Sequence, residues 1–166
     1  MLIKEKLGNI NNISPTNFEI DEVIIEWYEA NKRILHKQTK SGKNVILKFL
    51  KENPDLKDGD ILWQDENSMI VVEIKRCDCI VITPGNMLAA SSICYEIGNR
   101  HIPLFYEEND LLVPYEVPLH NLLKASGYQL KIEKRKLRNA FKTTILPHLQ
   151  VAGTVSMFSQ IPATSS

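Results

Sequence analysis

Apolar and polar positions alternate in two different ways along the chain. Up to about Lys75, β-branched and aromatic residues come in short runs separated by Gly, Pro, Asn and Asp, with few helix starts. These runs predict strands over residues 1–7, 23–28, 33–38, 44–50, 60–64 and 69–74. Lys40-Ser41-Gly42-Lys43 reads as a hairpin turn, because Gly42 can take the positive φ of a tight turn. Asn53-Pro54-Asp55 and Lys57-Asp58-Gly59-Asp60 mark further turns. The expectation for residues 1–75 is an all-β domain, a sandwich or an open barrel. The apolar run over 69–83 is too long for one ordinary strand, and charge interrupts it between Glu73 and Asp78. A domain boundary is expected there.

Beyond that point the pattern changes. Residues 79–82 predict a buried strand, and Thr83-Pro84-Gly85-Asn86 supplies a breaker and a cap for a helix over 87–98. Met87, Ala90, Cys94, Ile97 and His101 recur at spacings of three and four, so they share one face if the last turn stays helical. Strands over 104–106 and 111–115 flank the polar loop Glu107-Glu108-Asn109-Asp110. A helix over 118–126 ends at Gly127, and a strand follows over 128–132. The order β-α-β-β-α-β over residues 76–142 is that of a ferredoxin-like domain, which makes the chain α+β as a whole. Lys131, Lys134, Arg135, Lys136, Arg138 and Lys142 meet a single acid, Glu133, and the run reads as a solvated, poorly ordered segment, with contact to phosphates or an acidic protein as the alternative. Residues 143–166 hold no charged residue and little periodicity, which predicts a flexible C-terminal tail.

Composition narrows the function classes. At 166 residues with 43% apolar content, there is enough to build a core. Twenty basic and twenty acidic residues cancel, so no net field holds the molecule on nucleic acid or an anionic membrane. No apolar run reaches the roughly 18 to 20 residues of a membrane span, and the charges in Met1-Leu2-Ile3-Lys4-Glu5-Lys6 stand where a signal peptide needs apolar residues. Three cysteines, Cys77, Cys79 and Cys94, form no even disulfide framework. A cytoplasmic protein is expected. No glycine-rich phosphate loop, nucleophile elbow or acid-base carboxylate pair is visible, so no enzyme chemistry is predicted.

The residue with the most chemistry is His101, at the helix exit in Gly98-Asn99-Arg100-His101 and followed closely by Pro103. A helix C-terminus favours a cation, and neutral imidazole is a common ligand for nickel, copper and zinc. The other histidines, His36, His120 and His148, show no short ligand spacing with it, so one chain alone does not make a metal site. A two-fold axis beside His101 would pair it with its copy. A surface or helix-capping histidine is the alternative, and spacing leaves both open. Cys77-Asp78-Cys79 on a strand sends both thiols to one face, as core residues or as a soft-metal or redox pair. Trp27, Tyr28 and Trp63 are either core or a peptide-binding surface.

Cys94-Tyr95-Glu96-Ile97-Gly98-Asn99-Arg100-His101 closely resembles the E-I-G-N-R-H signature of the UreE family of urease accessory proteins, which deliver nickel. The likeness extends to Arg33-Ile34-Leu35, Thr39-Lys40-Ser41-Gly42-Lys43 and Gly59-Asp60-Ile61-Leu62 in the first half. The resemblance implies an N-terminal β-domain similar to peptide-binding domains of chaperones, then a ferredoxin-like metal-binding domain through which the protein forms a homodimer. It implies that His101 from each chain binds one Ni2+ across the axis, with Zn2+ or Cu2+ able to take the same imidazoles. It also makes His148, in Ile145-Leu146-Pro147-His148, an auxiliary ligand. The implied partners are the urease accessory GTPase, other urease accessory proteins and the urease apoprotein complex. No histidine follows His148, unlike the histidine-rich ends of many relatives, which argues against multi-nickel storage. Two rival readings are a polypeptide-binding assembly factor with incidental metal binding and a thiol-based protein using Cys77 and Cys79.

Overall fold

The computed structural model describes residues 1–13, 18–51 and 53–141. The first half builds two sheets. Strands β1 (Leu2–Ile3), β4 (Ile34–Gln38) and β5 (Asn44–Lys48) form a three-stranded sheet in the order β1-β5-β4. Strands β2 (Gly8–Asn9), β3 (Glu19–Ile25), β6 (Asp60–Gln64) and β7 (Ser68–Ile74) form a four-stranded sheet in the order β2-β6-β7-β3. The inward residues of both, including Val45, Leu47, Ile70, Val72 and Ile74, interdigitate into one core. The hairpin turn forms where Gly42 was placed, with φ +89° and Gln38 opposite Asn44.

Continuous burial explains why β7 lacks alternation. Met69 and Val71 leave the main core on the opposite face and pack with Ile61, Ile10 and Phe18. A strand covered on both sides reads as an unbroken apolar run.

The second half has strands β8 (Cys77–Ile82), β9 (Phe105–Glu107), β10 (Asp110–Pro114) and β11 (Leu130–Arg135), with helices α1 (Met87–Asn99) and α2 (Val117–Ala125). The sheet order is β11-β8-β10-β9 and every pairing is antiparallel, which is the ferredoxin-like arrangement. Ile80, Ile82, Leu111 and Val113 face the helices and meet Ile93, Ile97, Leu119 and Leu123. The other face, Cys79, Val81, Phe105 and Leu112, is covered by Leu137 and by Trp27 from the first half. The two domains therefore share an apolar seam, with Trp27 edge-on to Phe105 at 5.6 Å between ring centroids.

Four expectations change. The strand expected over 1–7 is two residues long, in β1, because only Leu2 and Ile3 pair with β5. The strand expected over 23–28 starts at Glu19 and ends at Ile25. Parallel pairing with β7 at the sheet's end tolerates the acidic residues Glu19, Asp21 and Glu22, and Trp27–Glu29 turns into a short 3-10 helix. On α1 the inward stripe is Ile93, Cys94 and Ile97, while Met87 is 81% exposed.

The fourth change concerns the basic run, which is ordered as far as it is described. Residues Lys131 to Arg135 lie in β11. Lys136 reaches Asp58 at 3.0 Å and Glu73 at 3.5 Å, and Arg138 reaches Asp58 at 3.5 Å and Glu107 at 3.1 Å. Apart from Glu133, which pairs with Arg135, the acids that neutralise this stretch lie more than twenty residues away, so local composition could not show them.

Candidate metal centre

Helix α1 starts at Asn86, whose side chain accepts the Ala89 N–H at 2.9 Å, and is held down by Ile93 and Ile97. It ends at Asn99, with Arg100 as the last residue near helical geometry. His101 then adopts φ +56°, in the left-handed region. Its N–H donates to the Gly98 carbonyl at 3.0 Å, and the Ile102 N–H donates to the Ile97 carbonyl at 3.4 Å. These two bonds, with Ile97 and Ile102 packed in the same core, make a Schellman closure.

Helix α2 closes at a residue of the same conformation, and there the residue is Gly127, with φ +83°. Glycine is the usual choice because a Cβ is strained in this region, although His and Asn tolerate it better than most. A histidine in the glycine place is thus a local departure from the cheapest sequence. Such departures gather at functional positions. His101 is exposed, and among the described residues no hydrogen bond or ion pair engages its imidazole.

The condition under which His101 joined the helical face, a last turn that stays helical, is not met. It stands off the end of the helix instead, beyond the stripe that packs inward. Along its length α1 exposes Met87 and Leu88 in its first turn, at 81% and 77%, and Tyr95 nearer its end, at 74%, three large apolar side chains on a helix otherwise fixed to its own sheet.

After the site, Leu104 leads into β9, which begins at Phe105, and a later part of the chain pairs with both. Phe105 bridges Ala140 in antiparallel fashion, the Tyr106 N–H donates to the Asn139 carbonyl at 3.0 Å, and the Phe141 N–H donates to the Leu104 carbonyl at 2.8 Å. Residues 139–141 so extend the sheet beside β9 and run toward the His101 end of it. Nothing in residues 139–141 reads as a strand, and sequence reasoning missed this pairing. His148 lies outside the described residues.

The remaining candidates separate. His36 lies on β4 of the first domain, and His120 lies on α2 with its ring 5.9 Å from Tyr115. Among the described residues no group of three His, Cys, Asp or Glu side chains is arranged to hold a metal. Cys77 and Cys79 do come together, with 3.7 Å between their sulfurs. Trp27 is half-buried in the domain seam, Trp63 packs on the first core, and Tyr28 is 56% exposed. Trp27, Tyr28, Phe105 and Tyr106 line a cleft of about 380 Å3 between the domains.

Residues 3–75 match the UreE urease accessory protein N-terminal domain, and residues 77–144 match the UreE urease accessory protein C-terminal domain. The chain belongs to the UreE family. The Urease accessory protein UreE of Flavobacterium johnsoniae is 40% identical over 148 residues, covering 89% of this chain and 90% of the relative. The protein of that name from Acetivibrio thermocellus is 43% identical over 127 residues, covering 76% and 82%. That from Helicobacter pylori is 35% identical over 164 residues, covering 96% of both. In this UreE chain, then, the left-handed histidine falls inside the C-terminal UreE match. Among the described residues no helix is long and apolar enough to cross a membrane.

Proposed function

We propose that this protein is a non-catalytic, cytoplasmic nickel chaperone for urease maturation. It works as a homodimer that holds one Ni2+ between the His101 imidazoles of its two chains, with His148 as auxiliary ligand. The observation that carries this reading is the conformation of His101. An exposed imidazole with no partner among the described residues sits at a backbone position where the companion helix uses glycine. A single imidazole is a weak site, and no other ligand stands beside it among the described residues. A symmetry copy is the simplest second donor.

Two features support the arrangement. The exposed Met87, Leu88 and Tyr95 lie along the helix that leads to His101, so a two-fold axis running parallel to that helix and beside it would bury them and bring the two imidazoles together. Phe141, tied to Leu104, stands close in the sheet to His101. From there the seven residues to His148 span at most about 25 Å when extended, which is ample for reaching the ion. The domain division at 1–75, 76–142 and 143–166 belongs to the same proposal.

Few protein ligands suit a protein that must hand its ion on. Ni2+ accepts four to six donors, so water completes the shell and leaves as a recipient offers its own ligands. Copper binds the same imidazoles more tightly and zinc competes for them, so delivery of nickel reflects supply as well as affinity. The recipients on this reading are the urease accessory GTPase, other urease accessory proteins and the urease apoprotein complex.

Nickel binding by the full chain tests the proposal, by equilibrium dialysis for His101→Ala and calorimetry for His148→Ala. The expected results are loss of the one-per-dimer site in the first, and weaker binding by an intact dimer in the second. Unchanged affinity and stoichiometry in His101→Ala would refute the shared site, and unchanged affinity in His148→Ala would remove it from the shell.

A further inference from the structure

We propose that Cys77 and Cys79 form a second metal site, for a soft thiophilic ion of the Cu(I) type, at the domain seam and separate from the imidazole site. The two residues are i and i+2 on β8, so their side chains leave the same face of the sheet. Their sulfurs lie 3.7 Å apart, and both thiols are free. Two opposed metal–sulfur bonds of about 2.3 Å span about 4.6 Å, so a two-coordinate, near-linear ion fits once the sulfurs part by about 0.9 Å, which a side-chain rotation of the half-buried Cys77 supplies without moving the strand.

The surroundings select the ion. Val81, Leu112, Leu137, Phe105 and Trp27 make the neighbourhood apolar, and Cys79 is fully buried whereas Cys77 is half-buried. Entry is thus from the Cys77 side. A dry pair of sulfurs disfavours an ion that requires several water or oxygen ligands and favours one satisfied by thiolates. The seam therefore offers donors of a softness that the exposed imidazole at His101 does not.

Binding exchanges two S–H bonds for two metal–sulfur bonds and releases two protons. Burial pushes Cys79 up to about 12 and holds Cys77 above its ordinary value, so both thiols are protonated at neutral pH. Around them, Glu26 before the 3-10 turn and Asp78 on β8 oppose a thiolate, while Lys75 in the linker and Lys134 on β11 favour one. Cu+ with two thiolates carries one net negative charge, which those lysines offset. With two protons displaced, apparent affinity rises by up to about a hundredfold per pH unit between pH 6 and 8.

The test is anaerobic titration of the reduced full-length His101→Ala chain with Cu(I) against a chromophoric Cu(I) chelator. Removing the imidazole keeps this result independent of the nickel reading. One Cu(I) per chain is expected, with a thiolate-to-metal charge-transfer band. Adding Cys77→Ala should lower the affinity at least a hundredfold, and adding Cys94→Ala should leave it unchanged. Cu(I) should also slow alkylation of Cys77 in the wild-type protein, a readout that needs no substitution in the seam. Affinity within threefold of the parent in Cys77→Ala, dependence on Cys94, or alkylation of Cys77 at the same rate with and without Cu(I) would overturn the site.

Discussion

Replacing His101 by glycine should make the protein more stable while removing the proposed metal ligand. At φ +56° an L-residue carries a left-handed penalty of about 1–2 kcal/mol, and histidine, which tolerates this region, belongs at the low end. Glycine relieves it but loosens the unfolded chain, which takes back about 0.4–1 kcal/mol. The Schellman bonds involve backbone atoms only and survive the change. The net gain is about 0.5 kcal/mol, or roughly 1–2 °C in Tm for a chain of this size. The assay is thermal and urea unfolding of the metal-free protein at one fixed chain concentration, since the stability of the proposed dimer would depend on it. His101→Asn is the control. It keeps a side chain suited to the left-handed region, so its stability should match wild type within about 0.5 kcal/mol. A His101→Gly protein less stable than wild type by about 1 kcal/mol or more would show that the imidazole makes stabilising contacts and that strain is not the signature of this position.

Two further outcomes concern the rest of the molecule. Asp58→Ala should cost about 2 kcal/mol in urea unfolding, because Asp58 accepts the Ile74 N–H at 2.8 Å and holds Lys136 at 3.0 Å across the domain seam. An unchanged urea midpoint would show that the apolar seam alone joins the domains. Glu73 should make the fold acid-sensitive. A hydrogen bond shared with Glu22 and one from Lys40, then the charges of Lys136 and Lys40, outweigh desolvation and lower its carboxyl from 4.5 to about 2. A group depressed on folding stabilises the native state above its unfolded value, so this contribution is complete above about pH 5 and lost as pH falls toward 2. Unfolding monitored across that range should be shallower in Glu73→Gln, and an equal slope would contradict the assignment.

Where pairing is local and the pattern periodic, the sequence foretold the fold. The hairpin at Gly42, the cap at Asn86, the close of α2 at Gly127 and the βαββαβ order all rest on signals within a few residues of the element they shape. What stayed hidden was set by distant partners. The alternation of Leu130 to Arg135 is weak because its ladder is decided by β8, nearly fifty residues earlier, and its charges by Asp58, Glu73 and Glu107. Met87 fits the apolar spacing of α1 yet faces out, since periodicity marks a stripe but not where the sheet beneath it stops. His101 was legible as a chemical candidate from its type and place. Its left-handed backbone was not, because Gly98 offers itself as the stop and the helix runs past it to close three residues later.

The seam between the domains changes how the functional parts can be separated. In the ferredoxin-like sheet one face is covered by α1 and α2, and the other depends on Trp27 and Leu137. Removing the N-terminal half would uncover Cys79, Val81, Phe105 and Leu112 as well as abolish any partner surface, so loss of delivery in a truncated protein would not identify a docking site. The same seam organises the C-terminal route. Lys136 and Arg138 are anchored to Asp58 on the first domain before residues 139–141 pair with β9. Loosening the anchor should therefore reach His101 through Leu104 without altering a ligand. On this logic the N-terminal domain would contribute to the proposed nickel transfer by holding residues 139–141 in place, and its influence is read with point substitutions at Asp58 rather than with deletions.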